Sequence, residues 1–336
     1  MRKKTFRFSS ASVDYYFDAK FSLLKQIVDV NRAVIITDEK VFQLYENRFQ
    51  SFNTIVVQAG EQFKIQATVS SVVDQLIQMH ADRTTTIVGV GGGVITDLTG
   101  FIASIYMRGI SFGFLPTTLL GLVDASIGGK NGIDVGVYKN MVGCIRQPSF
   151  ILHDLSFLKT LPENEWRNGF AEIIKHAAIK DAAMFKELEA NSIESFWKKK
   201  ARLADLVWRN TLLKTKLVQQ DEFEKGDRKL LNFGHTLGHA LENQSNFSHG
   251  EAISVGMAAA AGISEKLTGF KGAKRLVNLL DNYGLPTVAS FDKEKVMDVL
   301  KMDKKKTKNS VSYILLDKIG KATIKEIPFE QLYQLL

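Results

Sequence analysis

The segment from Arg228 to Glu251, RKLLNFGHTLGHALENQSNFSHGE, concentrates three of the six histidines of the chain with an arginine, three asparagines and two glutamates. His235 and His239 are four residues apart, so a helix would place them on one face about one turn apart. His249 follows at a predicted loop-to-helix junction. A catalytic zinc ion commonly takes three protein ligands from His, Asp and Glu and leaves one position open. Two of these histidines and one carboxylate from elsewhere would supply that set.

The polar residues of this segment also follow a helical spacing. Arg228, Asn232, His235 and His239 fall at i, i+4, i+7 and i+11, which predicts one polar seam along an otherwise apolar helix. Two histidines at such spacing are often only core or capping residues, and the spacing is not the HExxH of metalloproteases. Each buried polar group left without a partner costs ~1–3 kcal/mol, so a ligand or metal accounts for the whole seam.

A second helix is predicted in WRNGFAEIIKHAAI, residues 166–179, where apolar positions surround Glu172 and Lys175. The two charged residues share a face at i, i+3. They could form an ordinary surface pair that contributes a few tenths of a kcal/mol, roughly. Alternatively, Glu172 is the third metal ligand.

The sequence TTTIVGVGGGVITDLTGFIAS, residues 84–104, predicts a strand that runs through glycines directly into a helix. Glycines let the backbone approach a ligand closely, and the helix N-terminus favours phosphate oxygens. The pattern is not GxGxxG, because Val94 occupies the last glycine position, and a simple tight turn is the alternative. Asp97 could stabilise the helix dipole or bind a ribose or nicotinamide group.

Other polar residues follow strand ends or lie among small residues. Asp38 ends the strand AVIIT, and Glu61 and Lys64 follow another strand, which is the usual ligand crevice of an open α/β sheet, although each alone could be plain loop. Residues 114–143, FLPTTLLGLVDASIGGKNGIDVGVYKNMVG, place charged and amide groups in small, apolar sequence, which is typical of a pocket wall.

The elements that must position these groups fall into two parts. Strands are predicted at 33–37, 54–57, 85–90, 113–115 and 150–152, with helices at 41–49 and 67–79 between them. This alternation predicts βαβ units and a parallel sheet. After LKTLPENEW, helical patterns dominate apart from a short strand pair near 311–316 and 322–324. We predict an α/β domain over residues 1–158 and an all-α domain, apart from that pair, over 159–336.

Composition narrows the class of protein. With 336 residues, 45% hydrophobic and 24% charged, the chain is long enough for two globular domains, and its single cysteine excludes an internal disulfide. No secretory signal is evident, and the longest apolar run, residues 252–264, is too short to span a membrane. We therefore expect a soluble, cytoplasmic protein.

The net charge of +8 is compatible with nucleic acid, a membrane surface or an anionic small molecule. The lysine clusters at 198–200 and 304–306 lack the interleaved aromatics of a single-strand binding surface. Basic residues also lie inside the motifs above. We predict an anionic small-molecule substrate and no nucleic-acid or membrane partner.

The sequence closely resembles the 3-dehydroquinate synthase family of sugar phosphate cyclases. The matching motifs are GGGVITDLTGF, PTTLL, VDASIGGK, KNMVG, NGFAEIIK, RKLLNFGHTLGH, HGEA and MDKK, which cover most of the chain in family order. The resemblance implies a Rossmann-like NAD-binding α/β domain followed by a helical metal-binding domain, with the active site in the cleft between them. It also implies a homodimer that uses NAD+ and one Zn²⁺ or Co²⁺ ion to convert 3-deoxy-D-arabino-heptulosonate 7-phosphate, a sugar phosphate, into 3-dehydroquinate in the shikimate pathway.

The resemblance also assigns site residues. It implies that Glu172, His235 and His249 bind the metal, and that His239 faces substrate instead. Positions that match substrate-binding residues are Arg108, Asp124, Lys130, Asn140, Lys175, Lys214, Arg228, Asn232, His239, Lys304 and Lys305. Positions that match the NAD side are Asp38, Glu61, Lys64, Gly92, Gly93, Val94, Asp97, Thr117, Thr118 and Lys139. The expected catalytic set is Lys130, Lys175, Arg228, Asn232, His239 and Glu224, of which Glu224 matches an acidic residue near the metal.

Asn131 and Asp134 depart from the family, where many relatives have threonine and asparagine after GGK. The alternatives to a dehydroquinate synthase are another sugar phosphate cyclase, a metal-dependent NAD polyol dehydrogenase of the same fold, and a non-catalytic nucleotide-binding module. The last gives no reason for the polar helix seam.

Overall fold

The computed structural model describes residues 1–136, 138–242, 247–303 and 309–336, and for residues 302 and 303 it describes the backbone only. The contacts within the chain divide it into two compact units. Unit 1 comprises Met1–Pro162 and Ala204–Phe223, and unit 2 comprises Glu163–Leu203 and Glu224–Leu336.

The strands of unit 1 form one large sheet and one hairpin, and unit 2 holds a second hairpin. In chain order the strands are β1 (Arg2–Arg7), β2 (Ser12–Phe17), β3 (Ala33–Asp38), β4 (Asn53–Val57), β5 (Thr86–Gly91), β6 (Ser111–Pro116), β7 (Lys130–Val135), β8 (Tyr138–Ile145), β9 (Phe150–Leu152), β10 (Ser310–Lys318) and β11 (Lys321–Pro328). The seven-stranded sheet has the order β1-β2-β9-β6-β5-β3-β4 and is parallel from β2 to β4, while β1 pairs antiparallel with β2.

The central strands are buried on both faces, which explains their continuous apolar sequence. In β3, Val34 and Ile36 belong to one hydrophobic cluster, whereas Ala33 and Ile35 belong to the cluster on the other face. Strands covered on both faces read as unbroken Val/Ile/Leu runs rather than alternating ones. This property made the central parallel strands predictable, and the expected α/β class is confirmed.

Four strands, β1, β2, β7 and β8, were not anticipated, because none has the unbroken apolar sequence of the central strands. β1 is RKKTFR and only Phe6 is buried in it, whereas β2 buries alternate residues and every residue of β8 is at least partly exposed. β7 pairs antiparallel with β8. Pairing with a neighbouring strand, rather than an unbroken apolar run, defines these elements.

The helices, in chain order, are α1 (Leu24–Ile27), α2 (Glu39–Phe49), α3 (Gln66–Gln78), α4 (Gly93–Ile105), α5 (Glu163–Lys180), α6 (Ala182–Glu189), α7 (Ile193–Lys198), α8 (Lys200–Gln220), α9 (His235–Glu242), α10 (His249–Thr268), α11 (Ala273–Asn282), α12 (Lys293–Asp303) and α13 (Phe329–Leu335). The helical patterns at 41–49, 67–79 and 166–179 correspond to α2, α3 and α5. The β10–β11 hairpin occupies the region where a short strand pair was predicted. Within the described ranges, no helix is both long and apolar enough to traverse a lipid bilayer.

The division into units differs from the predicted boundary at residues 158/159, because part of α8 belongs to unit 1. From Ala204 onward this helix packs on unit 1. Trp208 lies against Phe17 with ring centroids 4.3 Å apart, and Gln219 donates a hydrogen bond to the carbonyl of Arg7. The helical periodicity of residues 200–220 could not reveal this, since periodicity shows which face is apolar but not its partner.

The prediction of one continuous helix from Arg228 to His239 was wrong. Asp227–Asn232 form a 3-10 turn, and α9 starts only at His235. Gly234 between them has φ +79°, a left-handed conformation that favours glycine. A Cβ there would lie 2.9 Å from the carbonyl oxygen of Ile253 on α10, so the backbone break allows close packing against that helix.

Candidate metal centre and cofactor site

Three side chains from three helices of unit 2 converge on one point. Glu172 extends from the middle of α5, whereas His235 and His249 are the first residues of α9 and α10. The Oε1 atom of Glu172 lies 3.0 Å from Nε2 of His249 and 3.5 Å from Nε2 of His235. One potential ligand atom from each residue lies within 4.8 Å of the others. Two imidazole nitrogens and one carboxylate oxygen form the donor set of a catalytic zinc site with an open position.

The second nitrogen of each ring fixes its orientation. Nδ1 of His235 lies 3.2 Å from the carbonyl oxygen of Phe233, which can only accept, so this nitrogen carries the proton. Nδ1 of His249 lies 2.9 Å from Oε1 of Glu242, whose side chain is almost completely buried. With Nδ1 protonated in both rings, Nε2 is the nitrogen that faces Glu172, which is the arrangement that a metal ligand requires.

The electrostatics of the protein without an ion are consistent with this reading. Burial, and then the nearby charge of Lys175, hold the pKa of His235 well below its usual value. Burial also opposes a charge on His249, but its hydrogen bonds to Glu172 and Glu242 raise its pKa to about 10. A divalent ion would take the place of the proton between His249 and Glu172.

Close helix contacts hold the three donors in register. The backbone N–H of Gly250 donates to Oδ1 of Asn168 at 3.0 Å, which joins the start of α10 to α5 one turn before Glu172. A Cβ on Gly250 would lie 2.5 Å from the Cα of Asn168. On the other side, a Cβ on Gly238 of α9 would lie 3.1 Å from the carbonyl oxygen of Ala252 on α10. Glycine at these positions brings the helices close enough for the ligands to meet.

His239 lies outside this group of donors. Its ring centroid is 5.1 Å from that of His235, and the residue is exposed. Helical spacing suggested His235 and His239 equally, whereas the fold brings His235 and His249 to the Glu172 carboxylate. The decisive difference is the break at Gly234 and the packing of α10, which the spacing of the histidines does not encode.

Two other predicted site residues of unit 2, Lys175 and Arg228, place charged side chains in the protein interior. Lys175 is 1% exposed and forms an ion pair with Oε2 of Glu172, and Arg228 is 2% exposed on the 3-10 turn. Asn232 donates to Oε1 of Glu224 at 2.8 Å, and Glu224 itself has φ +56°. Lys304 and Lys305 lie outside the described residues.

In unit 1, the glycine segment forms the expected turn from strand to helix. Gly92 precedes the first turn of α4, and no side chain caps that helix end. A Cβ on Gly92 or Gly93 would come 3.1 Å from Thr118 or 3.3 Å from Ala125. Thr117 donates its backbone N–H to the carbonyl of Gly91 at 2.9 Å, so the Thr117–Thr118 turn lies beside the glycines. The uncapped N–H groups of α4, which include those of Gly93 and Val94, are suited to phosphate oxygens.

The Lys64 ammonium group contacts several residues that were predicted to bind the cofactor or the substrate. Its Nζ lies 2.6 Å from Glu61, 3.6 Å from Asp97 and 2.9 Å from Oδ1 of Asn140. Burial by itself lowers the pKa of Lys64, but the charges of Asp97 and Glu61 hold it above its usual value. Burial raises the pKa of Asp97 to about 7, although the charge of Lys64 opposes this rise.

Asp134, which differs from the family pattern, has a structural role among the groups around Lys64. Asp134 lies 3.6 Å from Lys64, and its Oδ1 accepts the backbone N–H of Asn140 at 2.7 Å. Asn140 has φ +54°, so this hydrogen bond supports an uncommon backbone conformation on the β7–β8 hairpin. The other departure, Asn131, is buried and donates to the carbonyl oxygens of Gly129 and Arg146.

The remaining predicted residues of unit 1 are dispersed more widely. Asp124 pairs with Lys214 of α8 at 2.8 Å, and Lys214 also donates to the Asp124 carbonyl at 2.6 Å. Asp38 caps α2 by accepting the backbone N–H of Val41. Arg108, Lys130 and Lys139 are exposed, and Arg108 has φ +66°.

Comparison with known proteins agrees with this architecture. The family model described as 3-dehydroquinate synthase N-terminal matches residues 54–168, and the model described as 3-dehydroquinate synthase C-terminal matches residues 169–306. The chain belongs to the 3-dehydroquinate synthase family. A 3-dehydroquinate synthase from Dehalococcoides mccartyi is 40% identical over 317 residues, covering 90% of this chain and 88% of that protein. One from Saccharolobus solfataricus is 39% identical over 329 residues, covering 93% and 92%.

Solved structures with this fold include other enzymes. The 2-epi-5-epi-valiolone synthase ValA from Streptomyces hygroscopicus, with NAD+ and Zn²⁺ bound, superposes with a TM-score of 0.88 at 26% identity, covering 99% of this chain and 98% of that one. An NADH-dependent butanol dehydrogenase from Thermotoga maritima has a TM-score of 0.67 at 15% identity, covering 98% and 97%. Its likeness concerns the fold alone.

Proposed function

We propose that this protein is a 3-dehydroquinate synthase, a carbon–oxygen lyase that converts 3-deoxy-D-arabino-heptulosonate 7-phosphate to 3-dehydroquinate and inorganic phosphate. The observation that carries the proposal is about 40% identity to proteins of that name over nine tenths of the chain. The valiolone synthase with the same fold is only 26% identical. The reaction belongs to the shikimate pathway, which supplies aromatic amino acids.

We assign the metal to Glu172, His235 and His249. A divalent ion such as Zn²⁺ or Co²⁺ bound there would supply Lewis acidity toward a substrate hydroxyl. The protein orients its donors through the carbonyl of Phe233 and the carboxylate of Glu242. Lys175, next to Glu172, adds positive charge that favours loss of the hydroxyl proton.

We assign NAD+ to unit 1. When bound, NAD+ would accept a hydride from the substrate and return it later in the same turnover, so none is consumed. The N-terminus of α4 with Gly92, Gly93 and Val94 would hold the pyrophosphate, and Asp38 would bind ribose hydroxyls. Thr117, Thr118, Lys139, Asp97, Glu61 and Lys64 complete the proposed cofactor-binding set.

The substrate carries a carboxylate and a phosphate, and the proposed binding residues match these charges. Arg228 offers a planar fork of donors that suits phosphate oxygens, and Asn232 adds an amide. Lys130, Asn140, Lys304 and Lys305 are assigned to the same phosphate, while Arg108, Asp124 and Lys214 are assigned to the carboxylate and hydroxyls. The side chains assigned to the phosphate would stabilise its oxygens while those oxygens take the proton during β-elimination. His239 and Glu224 are assigned to proton transfer.

The direct test supplies the heptulosonate phosphate, a catalytic trace of NAD+ and Zn²⁺, and follows phosphate release. A dehydratase then converts the product to dehydroshikimate, which is measured by its ultraviolet absorbance. We expect many phosphates released per NAD+ and no net NADH. Accumulation of NADH without phosphate release would identify a polyol dehydrogenase instead, and a cyclic product other than dehydroquinate would identify another sugar phosphate cyclase.

The proposal extends to the assembly and location of the enzyme. We propose a homodimer that acts in the cytoplasm, as the family resemblance implies. Light scattering on the purified protein should give twice the mass of one chain, and a monomer would contradict the dimer.

A further inference from the structure

Glu242 holds the metal-centre histidine that lies on the next helix. Its Oε1 lies 2.9 Å from Nδ1 of His249, and the Glu242 side chain is 3% exposed. Glu242 is the last described residue of α9, and His235 is the first residue of the same helix. One helix therefore supplies both a ligand and the partner of a second ligand.

We propose that Glu242 is a positioning residue for the metal centre. By accepting the Nδ1–H of His249, it fixes the tautomer and ring orientation that aim Nε2 at Glu172, and it makes that nitrogen a stronger donor. This inference rests on the metal assignment proposed above, but it concerns a residue that binds neither substrate nor ion.

The burial of Glu242 favours an electrostatic role. A buried carboxylate is costly unless hydrogen bonds and nearby positive charge compensate. Its hydrogen bond to Nδ1 of His249 is one such interaction, and a divalent ion on the opposite side of the His249 ring would add positive charge.

The partner of His235 differs in kind. Its Nδ1 faces the neutral carbonyl of Phe233, which a side-chain substitution cannot remove. Among the described contacts of the two histidines, Glu242 is therefore the one that carries a formal charge and that mutation can change. Removing it should weaken the metal site without removing a ligand.

The test measures metal binding rather than turnover. Zn²⁺ affinity would be determined by competition with a chromophoric chelator, and the visible spectrum of the Co²⁺ form would be recorded for each variant. We expect Glu242→Ala to bind Zn²⁺ about 10–100-fold more weakly than the natural protein. Glu242→Gln keeps an acceptor of the same shape but loses the charge, so we expect a smaller loss with a shifted Co²⁺ spectrum.

Glu189→Gln provides the matched control, since Glu189 forms an exposed ion pair with Arg275 on another surface. It should leave affinity and spectrum unchanged. Circular dichroism would establish that each variant is folded, and the isosteric Glu242→Gln keeps the test valid if Glu242→Ala unfolds.

Two results would overturn the inference, and they differ. If the natural protein binds one ion and both Glu242 variants match it in affinity and spectrum, Glu242 has no positioning role although the metal site stands. If the natural protein binds no ion, or binds one that His249→Ala leaves in place, the metal assignment itself fails and the inference fails with it.

Discussion

Nε2 of His249 lies 3.0 Å from Oε1 of Glu172, although 77 residues separate them in the sequence. Gly250 follows His249 on α10, and Asn168 lies one turn before Glu172 on α5. These two residues are in close contact, which brings the two helices together at the ligands. The proposed metal centre therefore depends on helix packing as much as on ligand chemistry.

Glu172→Gln should abolish tight metal binding and turnover, because an amide is a poor ligand for a divalent ion. The same change breaks the ion pair between Glu172 and the buried Lys175, which should destabilise the fold by about 3–5 kcal/mol. Metal content and denaturant unfolding measure the two effects. The double variant Glu172→Gln/Lys175→Met should recover stability but not metal binding. Full activity in the single variant would refute the ligand role.

His235→Ala and His239→Ala should separate the two histidines of α9. Loss of His235 should weaken Zn²⁺ binding by more than about 100-fold, since it removes a ligand rather than an outer contact. Loss of His239 should leave metal affinity within about threefold while lowering turnover. Chelator competition and phosphate release measure these outcomes. Equal loss of metal in both variants would restore the arrangement that helical spacing alone suggested.

Gly250→Ala should weaken metal binding by forcing α10 away from α5, because its Cβ would lie 2.5 Å from the Asn168 Cα. Gly262→Ala on the same helix is the matched control, since no atom lies within 4 Å of that Cβ. The control should stabilise the protein by about 0.5–1 kcal/mol through helix propensity. Thermal unfolding and Zn²⁺ affinity distinguish the two, and similar behaviour of both variants would rule out the packing argument.

Arg228→Lys should lower turnover by about 10–100-fold, because lysine keeps the charge but not the planar fork of donors. Arg228 is almost fully buried, so its guanidinium orientation is fixed by the surroundings. Arg275→Lys, at a surface ion pair, is the control and should leave phosphate release unchanged. Unaltered turnover in Arg228→Lys would count against a role in phosphate binding.

Asp97→Asn should change the pH dependence of stability. Burial raises the pKa of Asp97 to about 7 in the folded state, so the folded protein binds a proton more readily than the unfolded chain. The contribution of Asp97 to stability is then most favourable below about pH 4 and falls as pH rises toward 7. The variant should therefore gain in melting temperature relative to the natural protein as pH increases from 5 to 8. A difference in melting temperature that stays constant over this pH range would contradict the shifted pKa of Asp97.

The positions of the central parallel strands were predictable because burial on both faces imposes an unbroken apolar run, as in β3 and β5. The turn at Gly92 was predictable for a similar reason, since a strand, glycines and a helix follow each other directly. The β7–β8 hairpin was not, because its residues are mostly exposed and its pairing depends on the partner strand. The ion pairs of Lys64 with Glu61, Asp97 and Asp134 were also beyond sequence reasoning, since three separate elements contribute the carboxylates.

The sequence by itself determined the class of fold, the family and the types of residue available for metal, cofactor and substrate, because these follow from local pattern and motif. The family motifs implied Glu172, His235 and His249 as ligands, but only the tertiary structure shows how His249, rather than His239, reaches the Glu172 carboxylate together with His235. The helix breaks at Gly234 because the backbone there must pass close to Ile253, and α10 then presents His249 to Glu172. Such contacts join residues that are distant in the chain, so no local periodicity contains them.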